Sequence, residues 1–266
     1  MPALREQDAR RRADNPVGRD FSEALARGLR IIQAFNAEAR VLSLSELARA
    51  VDLPRATVRR SLLTLVHLGF VEATGRSFAL TPKVLSLAAA YLESTVATSI
   101  LQPLCERLAA EHGEIFSIAV MDAPDAVMIA YARPRSIYTV GDGIGLRIPA
   151  HCTAVGRVFL ASMSEPEREA FLDRHGVRAV THRTVTDRQE ISAILSSIEK
   201  HDFAIVEDEA ELGFRSLAVP VRAPNGRTRF VINVGMAALR CPMEEARDRL
   251  VPILQMEARQ LGKLLI

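Results

Sequence analysis

A chain of 266 residues, 48% hydrophobic and 25% charged, has enough apolar content for two packed domains, which excludes wholesale disorder. The net charge of +2 hides an asymmetry: residues 1–83 carry 14 Lys and Arg against 9 Asp and Glu, and the remainder 20 against 23. A basic front and a mildly acidic back suit a nucleic-acid module joined to something else.

Three widely spaced cysteines, Cys105, Cys152 and Cys241, give neither a disulfide framework nor a zinc site, and a reduced cytoplasmic compartment is expected. No apolar run reaches bilayer length, and residues 1–20 lack the apolar centre of a secretory signal. Those residues, with Arg10, Arg11 and Arg12, read as a mobile tail or as an arm touching DNA phosphates.

A helix is expected over 22–35, where Leu25, Leu29, Ile32 and Phe35 recur at helical spacing behind Ser22 as N-cap. Ser43 or Ser45 caps a second helix, with Leu44, Leu47 and Val51 inward. Asp52, Leu53 and Pro54 turn the chain into a third helix with Val58, Leu62, Leu65 and Val66 as its buried stripe, ended by Gly69. Two short strands follow around Thr74, Gly75 and Arg76. Helix, turn, basic helix and basic-tipped hairpin over 21–81 make a winged helix-turn-helix, whose partner is duplex DNA.

Residues 82–96 read as a linker helix, apolar on more than one face and therefore packed on something outside its own domain. From 97 to 266 helices and strands alternate. Helices are expected over 100–112, 154–161, 165–175, 187–200 and 242–264, and strands over 115–121, 126–133, 136–140, 204–207, 216–222 and 229–234. That order describes an α+β domain with a central antiparallel sheet.

A recognition helix must offer donors to guanine edges and phosphates. The planar fork of arginine serves both. Arg55, Thr57, Arg59 and Arg60 occupy the first two turns of the third helix, the part that enters the major groove. Arg76 at the wing tip reaches the backbone or the minor groove, and Ser22, Ser43 and Ser45, near helix starts, suit phosphate contacts.

Several segments carry a likeness in order: Leu25-Ala26-Arg27-Gly28-Leu29-Arg30-Ile31-Ile32, Leu53-Pro54-Arg55-Ala56-Thr57-Val58-Arg59-Arg60 and Leu68-Gly69-Phe70-Val71. The C-terminal half adds Gly145-Leu146-Arg147-Ile148-Pro149-Ala150-His151-Cys152-Thr153-Ala154-Val155-Gly156-Arg157, Glu209, Gly213 and Ser216-Leu217-Ala218-Val219-Pro220-Val221. Together they resemble the IclR family of bacterial transcription regulators. The stretch from Arg147 and the run Ile232-Asn233-Val234 look like the branch regulating protocatechuate, p-hydroxybenzoate and β-ketoadipate catabolism. The resemblance implies a GAF-like effector domain, a homodimer held partly by its DNA-binding half or a dimer of dimers, and a pseudo-palindromic operator.

Pocket positions implied by the family are Ala154, Val155, Phe214, Ser216, Asn233 and Gly235, with Met121, Ile129 and nearby Arg133 added. Ser216 stands where many members have Cys, Asn233 and Gly235 where glyoxylate- or pyruvate-binding members have serines, and Val206 where those carry an acid. This argues for a bulkier, more apolar effector than a small 2-oxo acid. A carboxylate effector needs a buried cationic or multi-donor anchor. Arg133 is the candidate, with Asn233 and Ser216 as neutral hydrogen-bonders.

His151 beside Cys152 invites a thiol-catalysis reading, but adjacent residues point apart. The six histidines lack metal-ligand spacing, the acidic run 207–211 lacks the pattern of a calcium loop, and no phosphate-binding glycine loop occurs. No cofactor or metal is expected. Three classes stay open: a ligand-responsive regulator, a DNA-binding regulator whose C-terminal domain only oligomerises, and an enzyme with a vestigial DNA module.

Overall fold

The computed structural model describes residues 20–36, 38–134 and 143–264. The chain divides into two compact units, the first ending at Tyr91 and the second beginning at Leu92, so the division falls inside the expected linker. Residues 1–19 of the expected tail and the strand expected over 136–140 lie outside the described residues.

In the first unit α1 (Glu23–Gln33) is capped by Ser22, whose hydroxyl oxygen accepts from the Leu25 N–H. Strand β1 (Val41–Ser43) leads into α2 (Leu44–Ala50), closed by a capping box in which Ser43 and Glu46 bond each other's backbone N–H. Helix α3 (Arg55–His67) follows Pro54, and Gly69, at φ +78°, makes the left-handed exit that a side chain would oppose. Strands β2 (Val71–Thr74) and β3 (Ser77–Leu80) form the wing. Residues 41–43 pair with β3, making a three-stranded sheet where the sequence suggested only a hairpin.

Ile31, Leu47, Val58 and Leu62, all fully buried, centre this core. Leu25 and Leu29, on the other apolar stripe of α1, remain 64% and 47% exposed. They line a groove with Leu68 and Leu87. The linker starts as a 3-10 turn (Pro82–Val84) and continues as α4 (Leu85–Glu93), which buries none of its residues. Its start is tied to the end of α3: the Lys83 ammonium donates to the Leu68 carbonyl at 2.8 Å and the Thr81 hydroxyl to that of Gly69 at 2.5 Å.

In the second unit α5 (Gln102–His112) precedes the hairpin β4 (Ile115–Asp122) and β5 (Asp125–Ala132). A short β6 (Arg147–Pro149), unforeseen as a strand, pairs with β5. Helices α6 (Ala154–Ala161), α7 (Glu165–His175) and α8 (Arg188–His201) follow. Strands β7 (Ala204–Glu207), β8 (Phe214–Arg222) and β9 (Thr228–Ala237) and the long α9 (Met243–Leu264) complete the unit. The six-stranded antiparallel sheet runs β6-β5-β4-β9-β8-β7. Its α5/α9 face is filled by Phe116, Ile118, Leu217 and Ile232, and its α6/α7/α8 face by Ala119, Ala218, Val231 and Val206. Both faces are buried, so its strands read as apolar runs rather than as alternation.

Candidate functional site

On α3, Val58, Leu62 and Leu65 point into the core. At about 100° per residue, Ala56, Arg60 and Leu63 then lie opposite that stripe, with Arg55 and Arg59 on one flank and Thr57 on the other. Arg55, Arg59, Arg60 and Arg76 are exposed, and Thr57 is half-buried. None of the four arginines joins a salt bridge among the described residues. The face therefore offers uncommitted guanidinium groups around a small Ala56 that permits close approach. Ser22 and Ser43 both use their hydroxyl oxygens as caps, leaving the hydroxyl protons to donate. Ser45 lies inside α2, half-buried, and caps nothing.

The second unit holds a cavity of about 420 Å³ on the α6/α7/α8 face of the sheet, a volume that suits a small molecule. Register places its floor: Ser117 pairs with Asn233, Asn233 with Ala218, and Gly235 with both Ile115 and Ser216. Asn233 is 6% exposed. Its amide nitrogen donates to the Ser117 hydroxyl at 3.2 Å, while its carbonyl oxygen is buried without a partner. A buried amide left half-paired carries a desolvation cost of about 1–3 kcal/mol. Phe214 and Met128 supply apolar wall, and Thr153, the N-cap of α6, stands at one side.

Glu209 also lines this cavity, but its charge is spent. The Arg157 guanidinium meets both its oxygens, and Val185 N–H donates to one of them at 2.9 Å. The N–H groups of Ala154 and Val155, at the start of α6, have no hydrogen bond among the described residues. That helix end carries the positive pole of the backbone dipoles. His151 is occupied, its Nε2 lying 2.9 Å from the Arg178 carbonyl. Burial pushes the Cys152 thiol up to about 11, so the adjacent pair has no poised nucleophile.

Of the positions expected at the effector, Phe214, Ser216, Asn233 and Gly235 line the cavity. Ala154 and Val155 are buried at the helix start beside it without reaching its surface. Three of the expected positions lie outside this cavity. A bulge opposite Ile118 and Ala119 makes Ile129 the extra residue and turns it into the α5/α9 core, so that Met128 faces the cavity instead. Met121 lies beyond the cavity, in a separate cleft near the far end of α6. Arg133 is exposed past the end of β5 and is absent from the lining, so it is no buried anchor.

Ser117, Met128, Tyr131 and Thr153 were missed. Ser117 left a signal: a lone hydroxyl within an apolar strand, which asks for a partner on the neighbouring strand. No single helix among the described residues is long and apolar enough to cross a membrane.

Two family descriptions match this chain: the IclR helix-turn-helix domain over residues 24–75, and the bacterial transcriptional regulator IclR C-terminal domain over residues 89–263. The chain is 35% identical over 243 residues to the Pca regulon regulatory protein of Pseudomonas putida, covering 91% of this chain and 84% of that one. A solved transcriptional regulator from Rhodococcus sp. RHA1 superposes with a TM-score of 0.80 at 38% identity, covering 92% of this chain and 98% of its own. A double mutant of the PobR inducer-binding domain from Acinetobacter, in complex with 3-hydroxybenzoic acid, gives a TM-score of 0.59 at 26% identity, covering 62% of this chain and 97% of its own.

Proposed function

The chain belongs to the IclR family of bacterial transcriptional regulators, and from that premise we propose that it controls an operon for aromatic-acid breakdown in answer to a hydroxylated aromatic carboxylate. The observation that carries this reading is the half-paired amide of Asn233 in a mostly apolar cavity. A hydroxyl both donates and accepts, so it is the neutral group that completes the amide whichever way the amide stands. The start of α6, whose N-cap Thr153 lines the cavity, carries the positive dipole end that favours a carboxylate on that side. The ring fills the space between, against Met128 and Phe214. A ring-cleavage product is the alternative occupant of the same cavity, and its second carboxylate would compete for Asn233. The P. putida relative and the PobR complex support the aromatic reading.

The protein acts as a homodimer, alone or in a dimer of dimers, on a pseudo-palindromic duplex site. The exposed apolar stripe of α1 (Leu25 and Leu29) together with Leu87 of α4 gives the second copy its seat. Arg55, Thr57, Arg59 and Arg60 read the groove, Arg76 the flanking backbone, and Ser22, Ser43 and Ser45 the phosphates. Effector binding shifts an existing equilibrium between arrangements of the DNA-binding pair, by no more than its differential affinity for them. Regulation in the cytoplasm without catalysis is consistent with both halves.

The test uses full-length protein and a fragment of its own upstream region, titrated with 3- and 4-hydroxybenzoate and with benzoate. A hydroxybenzoate should change fragment affinity and raise the melting temperature, benzoate should bind at least about tenfold more weakly, and Asn233→Leu should erase that preference. If no compound moves either melting or DNA affinity, the effector reading fails.

A further inference from the structure

Helix α6 has a cavity at each end. The first lies beside its N-cap, Thr153. The second, about 710 Å³, lies past its C-terminal turn, between α7 and the start of β9. Met121, Phe159, Met163 and Phe171 give this cleft an apolar floor. Its rim holds Arg174 from the last turn of α7 and Arg227 and Arg229 from beside and within β9, with the His175 ring tilted against Phe171 at a centroid distance of 4.7 Å. The three arginines are exposed, and none takes part in a salt bridge among the described residues.

Glu167 is the lone acid of the lining. It is committed to the cap of α7, accepting from the Ser164 N–H at 3.0 Å and from its hydroxyl at 2.6 Å. The Ser162 and Thr228 hydroxyls bond each other at 2.7 Å across the cleft base, joining the end of α6 to β9. Arg229 lies 5.4 Å from the Phe230 ring centroid, and Arg227 is near enough to Glu167 to help hold its carboxyl below the usual range. With no salt bridge among the described residues and one capped carboxylate, the rim stays cationic above the edge of the α6/α7/α8 core.

We propose that this cleft is a second binding site, for a small anion with an apolar body such as an aromatic carboxylate. The ring lies on Phe159, Phe171 and the two methionines, whose thioethers adapt to irregular shapes. The carboxylate pairs with Arg227 and Arg229, whose forks match it bidentately. Its ligand touches the C-terminal end of the helix whose N-terminal end borders the first cavity. All eight residues of that helix are buried. The proposal stands on its own residues and does not depend on the first cavity being occupied.

The methionines give a reading for each site separately. Full-length protein carrying 13C-labelled methionine methyls is titrated with benzoate, with Met121 and Met163 reporting the cleft and Met128 the first cavity. Substitution of each by Leu assigns its signal. Saturable shifts of Met121 and Met163 are expected, with a dissociation constant of about 1 mM or tighter. The double variant Arg227→Glu, Arg229→Glu should weaken those shifts at least about tenfold, while Met128 keeps its wild-type position in the unliganded spectrum as proof of intact folding. Static Met121 and Met163 signals overturn the proposal, whatever Met128 does. So does a shift that survives the charge reversal.

Discussion

Arg157 grips Glu209 with both ends of its guanidinium fork, at 2.6 and 2.7 Å, in a setting where the arginine is 1% exposed. Its Nε–H donates to the His151 carbonyl at 2.9 Å. The pair joins α6 to the segment after β7, and its Glu209 lines the first cavity. A buried pair this well satisfied costs little while intact. Removing one partner strands the other as an uncompensated charge.

Arg157→Met should therefore destabilise the protein by about 3–5 kcal/mol. Adding Glu209→Leu should recover a large part of that loss, because both charges then leave together. Urea unfolding of the single and double variants checks this. A single-variant loss below about 1 kcal/mol, the scale of a surface pair, would show that the interaction is solvated.

Two glycines should separate folding from sensing. A Cβ on Gly156 would lie 2.1 Å from the Ala150 Cα, against backbone that has no room to move. Gly156→Ala should then cost about 3 kcal/mol or more. A Cβ on Gly235 would lie 2.5 Å from the Cζ of Phe214, the far end of a ring that can swing. Gly235→Ala should melt near the wild type while changing hydroxybenzoate affinity, because Phe214 is part of the cavity wall. Melting curves and calorimetric titration distinguish the two, and an unchanged affinity would remove Phe214 from the binding surface.

Thiol reactivity gives a check on burial. Desolvation pushes Cys105 up to about 12 and Cys152 up to about 11, so both stay protonated at pH 8 and react slowly with alkylating agents. Cys241 is half-buried. Mass spectrometry after brief iodoacetamide treatment at pH 8 should find Cys241 modified first. Early modification of Cys152 would mean that the first cavity opens widely to solvent.

The helices of the first unit were legible because their signals are local. Ser22 and Ser43 cap, Gly69 stops, and Val58, Leu62 and Leu65 repeat at helical spacing. Strand β1 was not, since three residues hold no period and gain strand form only by pairing with β3. The cavity was half legible. Family positions led to Phe214, Ser216, Asn233 and Gly235. Ile129 went astray because a bulge is a property of two strands together and leaves no mark in one. Arg133 went astray for a different reason: β5 ends at Ala132, so the next residue leaves the sheet exposed and away from the cavity, and a strand end leaves no sharp mark in the sequence.

The central claim is that the outward face of α3 reads duplex DNA. The most direct measurement is a gel-shift titration of the chain's own upstream fragment against full-length Arg60→Ala and the double variant Arg59→Ala, Arg60→Ala, over a range of salt. Arg60→Ala should weaken specific binding by about 1–3 kcal/mol if it meets a base, or flatten the log–log salt slope by about 0.9 if it meets a phosphate. The double variant should bind the fragment no better than random duplex. Wild-type affinity, salt slope and specificity in the double variant, with its melting temperature intact, would contradict the account.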